Sequence, residues 1–379
     1  MSDRPTAVGA LLRAAPPDRL PEVMAEHLRR HHGAGRVEIL LGDLTLTGLR
    51  PLLDGENPAG DPLAQRCFGS QRPVVDVAAD ASRAYLPLSV WGERLGVLVV
   101  ETSPGAGNGH VEQLSAVADE LAVALRAADP ITDRYRRAGR RERLTMAAEL
   151  QWELLPGRSL GDERFLIAGQ LQPAYAVFGD HFDWSLTGDR LTVTVLNGNG
   201  DGLEAALLTT VAVNAMRNAR RSGANIVEQA ELASDALYAR YGGAAHAATL
   251  LLEIDLVSGR VEAVDAGSPR AIVARDRECH TITLEQQLPL GMFGETRYET
   301  QRFALEPADR LLVVSDGVHA ATPGGRPPYG ESALLAALRR TRLQPATEAV
   351  GTVMRGLREY HGDGEPEDDA VTVCLDWRR

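Results

Sequence analysis

Six aspartates stand where chemistry could be done: Asp180 and Asp183 in FGDHFD, Asp201 in NGNGDGLEAAL, Asp316 in LLVVSDGV, and Asp368 with Asp369 in EDDAVTV. Each lies near an apolar, strand-like run, and most have glycine close by. A carboxylate at a strand end is aimed by a rigid scaffold, and a neighbouring glycine lets backbone and water approach closely. Oxygen donors without His or Cys suit hard divalent cations such as Mg²⁺ or Mn²⁺. One Asp-Gly pair is ordinarily a β-turn. Several, each attached to an apolar run, leave the turn reading and the metal reading both open.

Other chemistries find less support. His181, His246, His280, His319 and His361 are scattered, without a His-Asp-Ser constellation. His181 adjoins Asp180, where packing is a simpler role than touching substrate. No Walker motif or dinucleotide fingerprint occurs. Glu204 reads as a partner for a helix dipole, in the first turn of a helix opened by Gly202. The three cysteines, Cys67, Cys279 and Cys374, have neither zinc-ligand spacing nor a disulfide framework, and Cys374 in AVTVCLDW reads as core. A net charge of -12 argues against nucleic acid as a partner. It suits cation binding, although solubility alone explains it as well. The most apolar stretch, YLPLSVWGERLGVLVV, is broken by Glu93 and Arg94 and is too short to span a bilayer. With no long apolar leader, the expectation is a cytoplasmic protein that does not engage a membrane.

The elements that must position these acids divide the 379 residues into three zones. Residues 1–128 open with a helical pattern, LPEVMAEHLRRHH, followed by the strand-like VEILLG. RAYLPLSV and RLGVLVVE then flank a turn at Gly92-Glu93, which predicts a hairpin, and VEQLSAVADELAVALRAA predicts a closing helix. This order resembles a GAF domain, a small sensor module, with no haem, bilin or metal ligand set visible. Residues 129–158 read as a helical linker: its arginines, from Arg134 to Arg143, would form a solvated face, and Pro156-Gly157 would end it. Such a linker could serve as a dimer seam. Residues 159–379 carry strand candidates RLTVTVL, ATLLLEI, RVEAVDA, RAIVAR, RLLVVSD and AVTVCLD. Two helical stretches are expected there, LEAALLTTVAVNAMRNARRS and ESALLAALRR. Strands mixed with helices but without βαβ alternation predict an α+β fold.

Taken in order, FGDHFD, NGNGDGLEAALL, DAGSPRAIV, LPLG, LLVVSDGV and EDDAVTV resemble the SpoIIE-type phosphatases of the type-2C superfamily, over about the last 220 residues. AAELQWELLP is similar to the linker that precedes such domains. The resemblance implies an α-β-β-α sandwich, two antiparallel sheets flanked by helices, with two Mn²⁺ or Mg²⁺ ions at one end. By the same resemblance Asp180, Asp316 and Asp368 are metal ligands and Gly198 offers a backbone carbonyl. The implied activity is hydrolysis of phosphoserine or phosphothreonine on a regulatory protein, an anti-sigma-factor antagonist in bacterial partner-switching signalling. A homodimer formed through the GAF-like domain and the linker helix is also expected.

One position departs from the family pattern. Where the family has Gly-Asp-Val-x-Gly-His-Gly, this chain reads LNGNGDG, so Asn197 stands for the aspartate that bridges both metals and Asp201 for the histidine. An amide offers one neutral oxygen, and its NH₂ cannot ligate. Metal affinity is expected to fall unless Asp201 restores the charge. The alternative is therefore a catalytically impaired pseudophosphatase that binds a signalling partner without hydrolysing it.

Overall fold

The computed structural model describes residues 4–44, 48–53, 60–79, 81–103, 108–140, 143–173, 177–362, 364 and 366–378. The chain forms two compact units, Met1–Arg143 and Leu144–Arg379.

In the first unit α1 (Arg4–Ala14), α2 (Leu20–His32), β1 (Arg36–Gly42), β2 (Leu49–Pro51), α3 (Pro62–Ser70), β3 (Val74–Val77), β4 (Ser82–Val90), β5 (Glu93–Thr102), α4 (Asn108–Ala128) and α5 (Asp133–Ala138) follow in order. The strands make one antiparallel sheet ordered β2-β1-β5-β4-β3. The β4–β5 hairpin turns through Trp91 and Gly92, both at positive φ (50° and 81°), the geometry that matches the twist of paired strands. Strand alternation divides the core. Ile39, Leu86, Leu88 and Leu98 pack on Met24 and Leu28 of α2 and Leu121 of α4, while Leu40, Tyr85 and Val97 meet Phe68 of α3 on the other face.

The stretch 129–158 is not one helix. The short α5 belongs to the first unit, where the Arg134 guanidinium grips both oxygens of Glu22 (2.6 and 2.9 Å) and the Leu52 carbonyl. Tyr135 of the same helix is buried and donates its hydroxyl to the Pro17 carbonyl. The arginines expected on a solvated face therefore include one that ties the unit together. Helix α6 (Met146–Leu154) starts afresh in the second unit, capped by Thr145, whose hydroxyl accepts from the Ala148 N–H. Thr132 caps α5 in the same way. Side-chain caps of this kind offer the backbone an alternative to helix continuation.

The second unit continues with β6 (Ser159–Gly161), β7 (Phe165–Gln172), β8 (His181–Thr187), β9 (Arg190–Gly198), α7 (Gly202–Arg221), α8 (Ile226–Tyr241), β10 (Ala247–Asp255), β11 (Arg260–Ala266), β12 (Arg270–Arg275) and β13 (Glu278–Thr281). It closes with β14 (Gln301–Ala304), β15 (Arg310–Val314), α9 (Asp316–His319), α10 (Ala333–Arg340), α11 (Ala346–His361) and β16 (Ala370–Trp377). Two antiparallel sheets result, ordered β14-β11-β10-β9-β8 and β13-β12-β15-β16-β7-β6.

Their facing sides enclose a core that includes Phe182, Trp184, Val193, Val195, Leu250 and Leu252 from one sheet. Phe165, Ile167, Leu311, Val313, Val371 and Val373 come from the other. The alternate residues turn outward to helices. Leu196, Leu251 and Val264 meet α7 and α8, while Ala168, Leu312 and Cys374 meet α10 and α11. The fold is the four-layer α-β-β-α sandwich expected from the motif order.

Helices α8 and α11 come in addition to the two that the sequence pattern predicts. Two interior glycines, Gly351 and Gly356, lower the intrinsic helicity of α11. Packing of Ala349, Val350, Val353, Met354 and Leu357 on the sheet overrides that deficit. Gly356 is required by a neighbour, since a Cβ there would lie 2.7 Å from the Tyr329 hydroxyl.

Gly169 of β7 meets Phe182 of the facing sheet, where an added Cβ would lie 2.5 Å from the ring. Gly169→Ala is expected to destabilise the protein by about 1–3 kcal/mol through overpacking. The loss should shrink in a Phe182→Leu background, because the two positions share one space. Denaturant midpoints of the four chains check this; equal losses in both backgrounds would contradict it.

Candidate functional site

Of the acids singled out above, Asp180, Asp316, Asp368 and Asp369 lie next to strand ends at one end of both sheets. Asp180 immediately precedes β8, whose first residue, His181, pairs with Leu196, so Asp180 lies beside the end of β9 where Asn197 and Gly198 sit. Asp316 follows β15, and Asp368 and Asp369 precede β16. Those two strands are stitched at their ends: Ser315 N–H donates to the Val371 carbonyl (3.1 Å) and Val371 N–H donates to the Ser315 hydroxyl (2.9 Å). Across the sandwich, the Asn197 amide nitrogen donates to Asp316 Oδ1 and lies 3.4 Å from Ser268 Oγ.

The loop carrying Asp180 is held from beneath by Asp369, which is fully buried. Its Oδ2 accepts from the Phe178 N–H (2.9 Å), the Gly179 N–H (3.1 Å) and the Gln151 amide (2.8 Å). The same Gln151 nitrogen donates to the Asp180 carbonyl at 2.7 Å. Gly179 takes a positive φ of 87°, and its carbonyl accepts from the Thr209 hydroxyl of α7 at 2.6 Å. Gly198 packs against this knot, since a Cβ there would lie 2.9 Å from Thr209 Oγ1 and 3.2 Å from the Gly179 carbonyl. Gly317 lets α9 pass the loop before β16; a Cβ would fall 1.8 Å from the Asp369 carbonyl, backbone that cannot move aside. Asp369 thus fixes the loop, while Asp368 Oδ1 accepts its N–H (2.8 Å).

The electrostatics converge on Asp180. Burial raises its pKa well above the carboxylate range, and the charges of Asp368 and then Asp316 add to the shift. The Ser315 hydroxyl beside it offsets only part, and neither carboxylate oxygen meets a donor in good hydrogen-bond geometry. Asp368 is pushed up to about 7, by burial first and by Asp316 next. The charge of Asp316 therefore reaches both Asp180 and Asp368, and that of Asp368 reaches Asp180. A buried carboxylate with two unpartnered oxygens calls for a proton or a cation, and an all-oxygen set suits a hard one.

Among the described residues, no three His, Cys, Asp or Glu side chains are already drawn in around a single point as metal ligands. The Asn197 amide, turned toward Asp316, presents hydrogen where a bridging carboxylate would present oxygen. The donors present fit one hard cation better than two. Beside Asp316 and Asp368 opens a cleft of about 570 Å³, lined by Gly317, Ala320, Thr322, Pro323, His361 and Glu367 among others.

Other candidates lie apart. Asp201 is the exposed N-cap of α7, makes no side-chain cap bond, and is not among the charges that shift Asp180 or Asp368. Asp183 is turned to the helix side of β8, where it binds Arg217 and Arg220. His181 is fully buried, pushed down to about 4 chiefly by burial, which gives it a packing role. His319 Nε2 lies 2.9 Å from the Ser268 carbonyl, and burial lowers its pKa.

Gln151 had a signal in the sequence that passed unread. It occupies a buried stripe at helical spacing, with Ala147, Ala148 and Leu154, where an apolar residue would be ordinary. The part played by Asp369 had none, because adjacent aspartates give no indication of which one faces inward.

A four-layer sandwich with a buried acid cluster at one sheet end is the architecture of PP2C-type phosphatase domains. Residues 187–378 match the family of stage II sporulation protein E (SpoIIE), and the chain belongs to that family. Phosphoserine phosphatase RsbP of Bacillus subtilis (strain 168) is 25% identical over 133 residues, 34% of this chain and 33% of RsbP; the match thus spans about a third of that relative. Among solved structures, the SiaA PP2C domain of Pseudomonas aeruginosa aligns with a TM-score of 0.52 at 18% identity, covering 61% of this chain and 94% of that one. The PP2C phosphatase domain of SpoIIE from Bacillus subtilis, with a fragment of its regulatory domain, aligns with a TM-score of 0.50 at 14% identity, over 81% and 82% of the two chains. At these identities the structural matches speak for the fold.

Gln151→Ala strips the Asp180 carbonyl and Asp369 of a shared buried donor and is expected to cost about 1–3 kcal/mol. Gln151→Met, which fills the space but donates nothing, should recover little of it. Thermal or urea unfolding of the two variants checks this; a Met variant as stable as the native chain would contradict it.

Proposed function

We propose that the second unit is a divalent-metal-dependent protein-serine/threonine phosphatase acting on phosphoserine or phosphothreonine of a regulatory protein, of the anti-sigma-factor-antagonist type. The observation that carries this reading is the Asp180 carboxylate, fully buried, with neither oxygen in a well-formed hydrogen bond, in the field of Asp316 and Asp368. Membership of the SpoIIE family and the likeness to the phosphoserine phosphatase RsbP support it.

Asp180, Asp316 and Asp368 would hold a Mn²⁺ or Mg²⁺ ion, with the Gly198 carbonyl as a further oxygen donor. Such an ion, when bound, makes water a usable nucleophile near neutral pH and offsets charge on a phosphoryl group. This chain's own residues do the rest: Asp369 and Gln151 fix the loop that aims Asp180, and the cleft beside Asp316 and Asp368 admits a phosphorylated side chain. The first unit is read as a GAF-like sensor whose pairing in a homodimer sets the activity of the second.

A second reading has its own observation. The bond from the Asn197 amide to Asp316 neutralises part of the cluster from within, as expected of a site that binds its partner without hydrolysing it.

Asn197→Asp separates the two. A unit charge about 4 Å from a dication is worth about 2 kcal/mol even at the dielectric constant of water, so Mn²⁺ affinity is expected to rise at least about tenfold. Calorimetry with MnCl₂, paired with phosphate release from a phosphoserine peptide, reads both properties. Release by the native chain that Asp180→Asn abolishes supports the enzyme. Release only after Asn197→Asp assigns the native chain to the second reading. No Mn²⁺ binding by either chain overturns both.

A further inference from the structure

On the helix side of β8 lies a second polar site, built from a different face of the same elements. Strand alternation sends Phe182 and Trp184 into the core between the sheets and turns Asp183, Ser185 and Thr187 the other way. Opposite them, the last turns of α7 present Arg217, Arg220 and Arg221, at the i, i+3, i+4 spacing that places side chains on one helix face. These six residues, with Pro156 and Trp184, line a cavity of about 310 Å³.

Two of the arginines are held in place. Arg217 reaches both Asp183 oxygens (2.7 and 3.3 Å) and the Leu154 carbonyl (2.7 Å), and Arg220 reaches Asp183 Oδ2 (3.1 Å). The Asp183 side chain is only 3% exposed, and the Arg217 and Arg220 side chains are 17% and 15% exposed. One carboxylate set against three guanidinium groups leaves the cavity with an excess of two positive charges. A guanidinium carries five N–H donors. Among the described residues Arg217 Nη1, Arg220 Nε and Nη1, and the whole Arg221 fork have no protein acceptor, and the Ser185 and Thr187 hydroxyls face the same space.

We propose that this cavity binds the dianion of a phosphate monoester or of inorganic phosphate, held by the Arg217, Arg220 and Arg221 guanidinium groups and the Ser185 and Thr187 hydroxyls. The Arg221 fork can take two oxygens at once and Arg217 and Arg220 add further N–H donors around it, which suits a tetrahedral oxyanion better than a spherical halide. The ordering cost is reduced, because Asp183 already holds two of the three arginines in place. The site is separate from the acid cluster: Ser185 and Thr187 lie four and six residues beyond His181, roughly 13–20 Å along the strand. It goes beyond the phosphatase reading and does not require it.

Calorimetry of the full chain in EDTA, with sodium phosphate and then phosphoserine as titrants and KCl at matched ionic strength as control, tests this. EDTA removes any metal that could recruit phosphate to Asp180, and Asp180→Asn is expected to bind like the native chain. Saturable one-site binding, weakened about five- to tenfold or more by Arg221→Ala, is the expected result. Arg221 makes none of the Asp183 contacts, so that variant keeps its fold, which circular dichroism verifies. Arg221→Lys should recover only part of the affinity. Tighter binding of phosphoserine than of phosphate identifies a phosphorylated side chain as the ligand; the reverse identifies free phosphate. No saturation up to about 20 mM phosphate, equal competition by chloride, or unchanged affinity in folded Arg221→Ala overturns the proposal.

Discussion

Like charges that converge under burial are costly, and the second unit is organised around one such convergence. Asp180 is fully buried, with Asp368 and Asp316 both acting to keep it protonated. A protein does not ordinarily retain a buried carboxylate without donors unless something else satisfies it. The neighbouring structure holds this arrangement in place instead of relieving it. Asp369 takes three donors from the loop and from α6, Gly317 allows a backbone contact that any Cβ would forbid, and Gly198 leaves room for the Thr209 hydroxyl. The sandwich serves that purpose, because both sheets end at this place and each contributes carboxylates from strand ends.

Asn197 changes the balance at one point. Its amide nitrogen meets Asp316 directly, which lowers the repulsion within the cluster in the absence of any ion. A carboxylate at that position would have increased the repulsion and, by the same amount, the attraction for a cation. On the proposed reading, Asn197 would exchange affinity for metal against stability of the metal-free fold, and that exchange separates the phosphatase reading from the binding-module reading.

The sequence made much of the fold legible. The span of α2 coincides with LPEVMAEHLRRHH, and those of β11 and β12 with RVEAVDA and RAIVAR, because each carries its own period and boundary residues. Helix α11 was hidden by Gly351 and Gly356, since its stability comes from contacts with the sheet and not from local propensity. The break between α5 and α6 was hidden as well, because Thr132 and Thr145 read as ordinary polar residues until their hydroxyls are seen capping. At the candidate site, motif order named the acids, but spacing alone could not separate Asp368, turned toward Asp180, from Asp369, turned toward the loop. Nor could it show that Asp183, three residues after Asp180, faces an arginine pocket, or that Asp201 is exposed.

Anomalous diffraction from crystals of the full chain soaked in MnCl₂ would locate manganese without reference to activity. A peak bounded by the carboxylates of Asp180, Asp316 and Asp368 is the predicted result. A map at saturating Mn²⁺ with no peak in contact with Asp180 would contradict the claim that its buried, unpartnered oxygens are there to hold a cation.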